Sequence, residues 1–181
     1  MCAKLENILA NHCSPAMFGI KSANLICIRI IDIPNVEEEI DMLNKNLNGR
    51  ITARIIKKTN DVILVMIYQN CKLKRTIFNE DNHNYLVSLG YPTNGSIDDY
   101  LLHLSSRITC NMFPHEIGVF LNYDLNDIID FSNKNKKSIY SGYWQVFSDL
   151  EKKKIIFNKY SKCRNLVINL INKGYKLETL I

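Results

Sequence analysis

The segment ITARIIKKTNDVILVMIYQ, residues 51–69, restricts the fold more than any other part of this 181-residue chain. Residues 51–58 and 62–69 are rich in β-branched side chains and flank a polar turn, Thr59-Asn60-Asp61. That pattern predicts a β-hairpin. The second arm is apolar at every position but the last. A strand without a polar face is covered on both sides, so 62–69 is expected at the centre of its sheet. NLICIRI at 24–30 supplies another buried strand, and YSGYWQVF at 140–147 reads as a fourth.

Elsewhere the apolar spacing is helical. Residues 4–12 predict a short helix ending near Pro15. Val36, Ile40, Leu43 and Leu47 share one face of a helix over 35–47, which Asn48-Gly49 stops. Short helices at 71–79 and 81–89 close at Gly90-Tyr91-Pro92, and Ser96-Ile97-Asp98-Asp99 is a capping box for a helix over 97–109. Pro114 suits the first position of a helix over 114–121, and Asp124 caps another reaching residue 131. After a polar loop at 133–138, the longest helix runs over 149–173, turns Ile156, Tyr160, Cys163, Val167 and Leu170 inward, and ends at Gly174. This order implies one α+β domain over residues 1–181. Its sheet is mainly antiparallel, of about four strands, flanked by helices and followed by a long C-terminal helix.

Hydrophobic residues are 46% and charged residues 23% of the chain, so a core of ordinary size can form. No apolar run is long enough to span a bilayer, which argues against a membrane partner. The start, MCAKLENILANHC, lacks the basic and apolar regions of an export signal. The six cysteines contain no CxxC pair, so neither a zinc ribbon nor a thioredoxin motif is indicated. A cytoplasmic protein with reduced thiols, mostly small core residues, is expected. The net charge of +5 is uneven: residues 134–181 hold 11 Lys or Arg against 3 acids, whereas residues 1–133 hold 12 against 15. Such a basic segment suits an acidic protein partner.

The chemistry concentrates in NMFPHEIGVFLNYD, residues 111–124. On a helix begun by Pro114, His115 stands where the dipole favours neutral imidazole, which donates to a substrate oxygen or binds a metal. Glu116 is favoured there as an ionised capping residue. Gly118 lets a neighbouring element approach closely. Cys13, at a helix edge with Lys21 eight residues on, is either an inert core thiol or one whose pKa a nearby cation lowers. Tyr143 and Trp144 are either core rings or an aromatic wall beside a ligand, with Gly142 allowing close approach. The rhythm of HEIGVFLNYDLNDIIDF also suggests a helix-turn-helix. Asp124, Asp127 and Asp130 on its second helix would repel phosphates, so specific nucleic-acid binding is not expected. The seven glycines form neither GxGxxG nor a phosphate loop.

Three strings, CSPAMFGIKSANL (13–25), FPHEIGVFLNYDLNDIIDF (113–131) and SGYWQVFSD with FNKYSKC (141–163), together resemble the bacterial domain-of-unknown-function family 3793. The resemblance covers nearly the whole chain. It implies a standalone cytoplasmic protein with no established activity, and carries no catalytic role onto any residue. Two positions depart from the family's pattern. Its Gly-Tyr-Pro turn is here Asn122-Tyr123-Asp124, and a frequent cysteine before Gly142 is here Ser141. The candidate site residues are therefore Cys13, Lys21, His115, Glu116, Tyr143 and Trp144, expected to gather around a small molecule or a cofactor, in a binding protein or an enzyme. The sequence names no reaction, no cofactor and no metal. The competing expectation is a non-catalytic interaction or regulatory module that uses the basic C-terminal helix.

Overall fold

The computed structural model describes residues 1–47, 49–109, 112–133 and 136–181. Asn48 of the expected helix stop, the sixth cysteine Cys110, Asn111, and loop positions Lys134 and Asn135 lie outside the described residues. The chain forms two compact units: Met1–Lys72 with Tyr160–Ile181, and Leu73–Lys159.

The first unit opens with α1 (Ala3–His12) and α2 (Ser14–Met17), with Pro15 in the first turn of α2. Then come β1 (Ala23–Arg29), α3 (Val36–Asn46), β2 (Ile51–Lys58) and β3 (Val62–Gln69). The hairpin has the bounds expected from sequence. Among the described residues the strands form one antiparallel sheet in the order β1-β3-β2, so the apolar arm is central. Ile63, Val65 and Ile67 of β3 join a core with Leu5 and Leu9 of α1 and Ile40 and Leu43 of α3. Met66 and Tyr68, on the opposite face of β3, are buried as well. The register shifts between Ile55 and Lys57, a bulge that lets Ile56 be buried.

The second unit follows α4 (Asn70–Ile77) with α5 (Glu80–Ser88) and α6 (Ile97–Arg107). Ser96 and Asp99 cap α6 reciprocally, as the sequence predicts. Next are α7 (Ile117–Phe120), α8 (Leu125–Ser132), β4 (Tyr140–Ser141), β5 (Gln145–Val146) and α9 (Leu150–Asn172). From Tyr160 onward α9 belongs to the first unit, where Val167 enters the core. Gly174, at φ +92°, ends the helix, and α10 (Leu177–Leu180) adds Leu177 to the same core. The architecture is α+β, with antiparallel sheets, flanking helices and a long C-terminal helix.

Four local expectations change. The strand expected over 140–147 is a two-residue hairpin, β4 with β5, bent at 142–144, where the Gly142 amide donates to the Trp144 carbonyl at 3.0 Å. A Cβ on Gly142 would overlap the Phe157 ring, so the space the glycine leaves is taken by a neighbour in the fold. The helix expected from Pro114 starts at Ile117 instead. Pro114 and His115 form the preceding turn, their carbonyls accepting from Ile117 and Gly118 at 3.3 and 3.1 Å. In α9 the buried stripe is Lys153, Phe157, Tyr160 and Val167, and Ile156 is exposed. Phe157 displaces Ile156 because its ring packs edge-on against Trp144, 4.5 Å between centroids. Finally, of the five described cysteines, all free, only Cys13 is buried: Cys27 and Cys71 are exposed and Cys2 and Cys163 half-buried. Cys27 stands on the outward side of β1's alternation, which burial of its neighbours Ile26 and Ile28 defines.

Candidate functional site

The FPHE turn, α7, α8 and the β4–β5 hairpin enclose a cleft of about 290 Å³ within the second unit. Phe113, His115, Tyr123, Phe131 and Trp144 supply its rings, and Gln145 stands at its edge. Local chemistry explains how these elements converge. Asn122, at φ +56°, turns the chain out of α7, and the Tyr123 amide donates to the Gly118 carbonyl at 2.8 Å. The left-handed region is favoured by glycine and tolerated by asparagine, so Asn122 fits where the family resemblance places glycine. Asp124 then caps α8, accepting from the amides of Asn126 and Asp127 at 3.0 and 3.3 Å. Gly118 lets α8 close: a Cβ there would lie 2.8 Å from Ile128 and 3.1 Å from Tyr123.

Asp127 holds the opposite wall. It is 1% exposed. One carboxylate oxygen accepts the Phe147 amide at 2.9 Å, and the other accepts the Trp144 indole N–H at 2.8 Å and meets the Lys153 ammonium at 2.9 Å. Lys153, itself almost fully buried, also donates to Ser148 Oγ at 3.2 Å and lies 3.6 Å from Asp124. The indole stacks on Tyr123 at 4.8 Å and 23°. Trp144 is therefore fixed by one hydrogen bond and two ring contacts before any ligand arrives.

Of the six residues singled out in the sequence, the cleft includes His115 and Trp144. His115 is exposed and meets Phe131 edge-on, 4.9 Å between ring centroids. It lies outside α7, so it does not occupy the first-turn position expected for it. Glu116 precedes α7 but caps nothing through its side chain. Its carboxylate is buried, paired with Arg107, and accepts the Tyr91 hydroxyl at 3.4 Å. Burial, with the Glu116 charge adding to it, pushes the Tyr91 phenol well above its ordinary range. Glu116 is thus an anchor between the turn and α6. Tyr143 is half-buried, 5.6 Å from the Phe157 ring, and does not line the cleft.

Cys13 and Lys21 belong to the first unit and line no part of this cleft. Both are in the core, 0% and 3% exposed. Burial pushes the Cys13 thiol up to about 12, the nearby Lys21 charge offsetting only part of this, so the activated-thiol alternative does not apply. Burial lowers Lys21 to about 8, and its ammonium lies 5.7 Å from the centre of the Tyr160 ring.

Asp127, Lys153, Phe113, Tyr123 and Phe131 escaped the sequence reading as site residues. Asp127 and Phe131 sit in a string already singled out, and helical spacing puts them four apart on one face of α8. Lys153 gave no signal, since one lysine in a run of three reads as surface. Among the described residues no group of three or more His, Cys, Asp or Glu side chains is gathered to hold a metal. No helix among them is long and apolar enough to cross a membrane.

Comparison with curated proteins finds no match, and comparison with solved structures finds none. One family model, described as a protein of unknown function (DUF3793), matches residues 9–181. Running through both units and containing the whole cleft, that match shows that the chain belongs to the DUF3793 family.

Proposed function

We propose that this chain is a small-molecule-binding protein whose site is the cleft at the FPHE turn. One observation carries the reading: a ring-lined concavity is bordered by a buried ion pair, Asp127 with Lys153, while Phe113 and Phe131 stay 48% and 43% exposed. Apolar rings left facing water around a concave, pre-formed site are the usual mark of ligand binding. The arrangement favours binding over catalysis, because Glu116, the nearest carboxylate to His115 in sequence, is committed to Arg107. The family match through both units supports treating residues 1–181 as one functional domain, and the free thiols suit a cytoplasmic setting.

Trp144 is the only tryptophan in the chain, so its emission reports the cleft directly. A panel of small aromatic compounds should contain members that change that emission saturably. His115→Gln should weaken those members about tenfold, roughly 1.4 kcal/mol. An unresponsive Trp144 across the panel, or unchanged affinity in the variant, removes the cleft as the site.

An acidic protein partner on α9 is the second reading. Ile155 and Leu166 are 59% and 61% exposed on that helix, among Lys152, Lys154, Lys159, Lys162 and Arg164. Apolar side chains interleaved with cations suit a surface that is first steered by charge and then buried.

A further inference from the structure

The charges around the cleft are answered within the fold, and that restricts what can enter. Asp127 is the one carboxylate among the described lining residues, and both its oxygens are occupied, by Trp144, Phe147 and Lys153. Among the described lining residues there is no Lys or Arg. Asp130, on the same helix, is paired with Lys136 at 2.7 Å. An anion entering here would lose its hydration with no Lys or Arg among the described lining residues to replace it. A cation would find a carboxylate already neutralised by an ammonium 2.9 Å away.

Two side chains retain hydrogen-bonding capacity toward the cleft. The His115 imidazole and the Gln145 amide are both exposed, both line it, and neither carries a side-chain hydrogen bond to a described residue. Both side chains can exchange hydrogen bonds with a ligand. The walls between them are rings, and flat ligands make offset or edge contacts with rings. The volume, about 290 Å³, lies at the small end for ligand pockets, which suits one or two fused rings and excludes a dinucleotide.

Resting on the reading of the cleft as a binding site, we propose that its ligand is an uncharged, planar one- or two-ring heterocycle. The ring enters between the aromatic walls, and its polar edge exchanges hydrogen bonds with His115 and Gln145. Phosphorylated, carboxylated and ammonium-bearing forms of the same ring are rejected by the missing counter-charge.

Three probes of nearly the same shape test this on the full chain by calorimetry: 2-quinolone, quinoline-2-carboxylate and N-methylquinolinium. The neutral probe should bind saturably and about tenfold or more tighter than either charged one. Gln145→Leu should weaken the neutral probe several-fold while leaving the folded fraction, read by circular dichroism, unchanged. A charged probe that binds as tightly as the neutral one overturns the ligand class and leaves the cleft standing as a site. Failure of all three to bind overturns the class and the cleft together. Unchanged affinity of 2-quinolone in Gln145→Leu overturns the assignment of the polar edge.

Discussion

Asn122 holds a left-handed backbone conformation that only glycine adopts without strain, and the bend it makes delivers Tyr123 to the cleft. Asn122→Gly should be nearly neutral, because relieved strain is offset by extra freedom in the unfolded chain. Asn122→Val should cost about 1–3 kcal/mol in urea unfolding, since a β-branched residue is poorest there. In the first unit the buried pair Cys13 and Lys21 titrates in opposite senses. Lys21 falls from 10.5 to about 8 on folding, so the unfolded state holds the extra proton in that window and stability rises with pH. Cys13 rises from 9.0 to about 12, so the folded state holds the extra proton there and stability falls with pH. Together they give a rise from about 8 to 9, a plateau to about 10.5, and a decline beyond. In Cys13→Ala the rise should continue to about 10.5, adding on the order of 2 kcal/mol relative to the wild-type profile. Identical pH profiles for the two proteins by chemical denaturation would rule this out.

Where α8, the β4–β5 hairpin and the start of α9 meet, the ionic lock of Asp127 with Lys153 is the element-scale joint. Removing the carboxylate leaves the buried ammonium only the more distant and more exposed Asp124 at 3.6 Å, so Asp127→Ala should cost about 3 kcal/mol and shift Trp144 emission. Adding Lys153→Met to that variant should restore much of the loss, because an apolar side chain of similar length no longer needs a counter-ion. Additive losses in the double-mutant cycle would show that the two groups act independently. Legibility from the sequence divides along the same line. The β2–β3 hairpin and the capping box of α6 were readable because their determinants are a few residues apart. The lock was not, because Asp127 and Lys153 are adjacent only once three elements have packed. Ile156 is expected inward from the helical apolar spacing, and the Phe157 ring takes its place through contact with Trp144. His115 and Trp144 could be singled out as residue types in an informative string. Phe113 and Phe131 could not, because an isolated aromatic reads as core until its exposure is known.

On the scale of the whole molecule, charge and topology are the informative properties. The basic excess of residues 134–181 predicts duplex DNA binding that is weak, indifferent to sequence, and lost by about 0.2 M salt. At and within α8 the three aspartates of the helix-turn-helix pattern are engaged internally: Asp124 caps, Asp127 forms the lock, and Asp130 pairs with Lys136. Residues 125–132 contain no Lys or Arg with which to grip a phosphate. Sequence-dependent binding that survives that salt in a mobility-shift titration would reverse this conclusion. The order of segments has a consequence for biosynthesis. The first unit is interrupted: Met1–Lys72 is completed by Tyr160–Ile181, and the whole second unit is made between them. Leu5, Leu9, Ile28 and Val65 therefore leave the ribosome long before Val167 and Leu177, their partners in the core. The usual order, in which the segment made first folds first, is inverted here. The later-made second unit can close while the earlier one waits, the part of its core that Val167 and Leu177 cover still open to chaperones and to neighbouring nascent chains, until the final turns of α9 and α10 emerge.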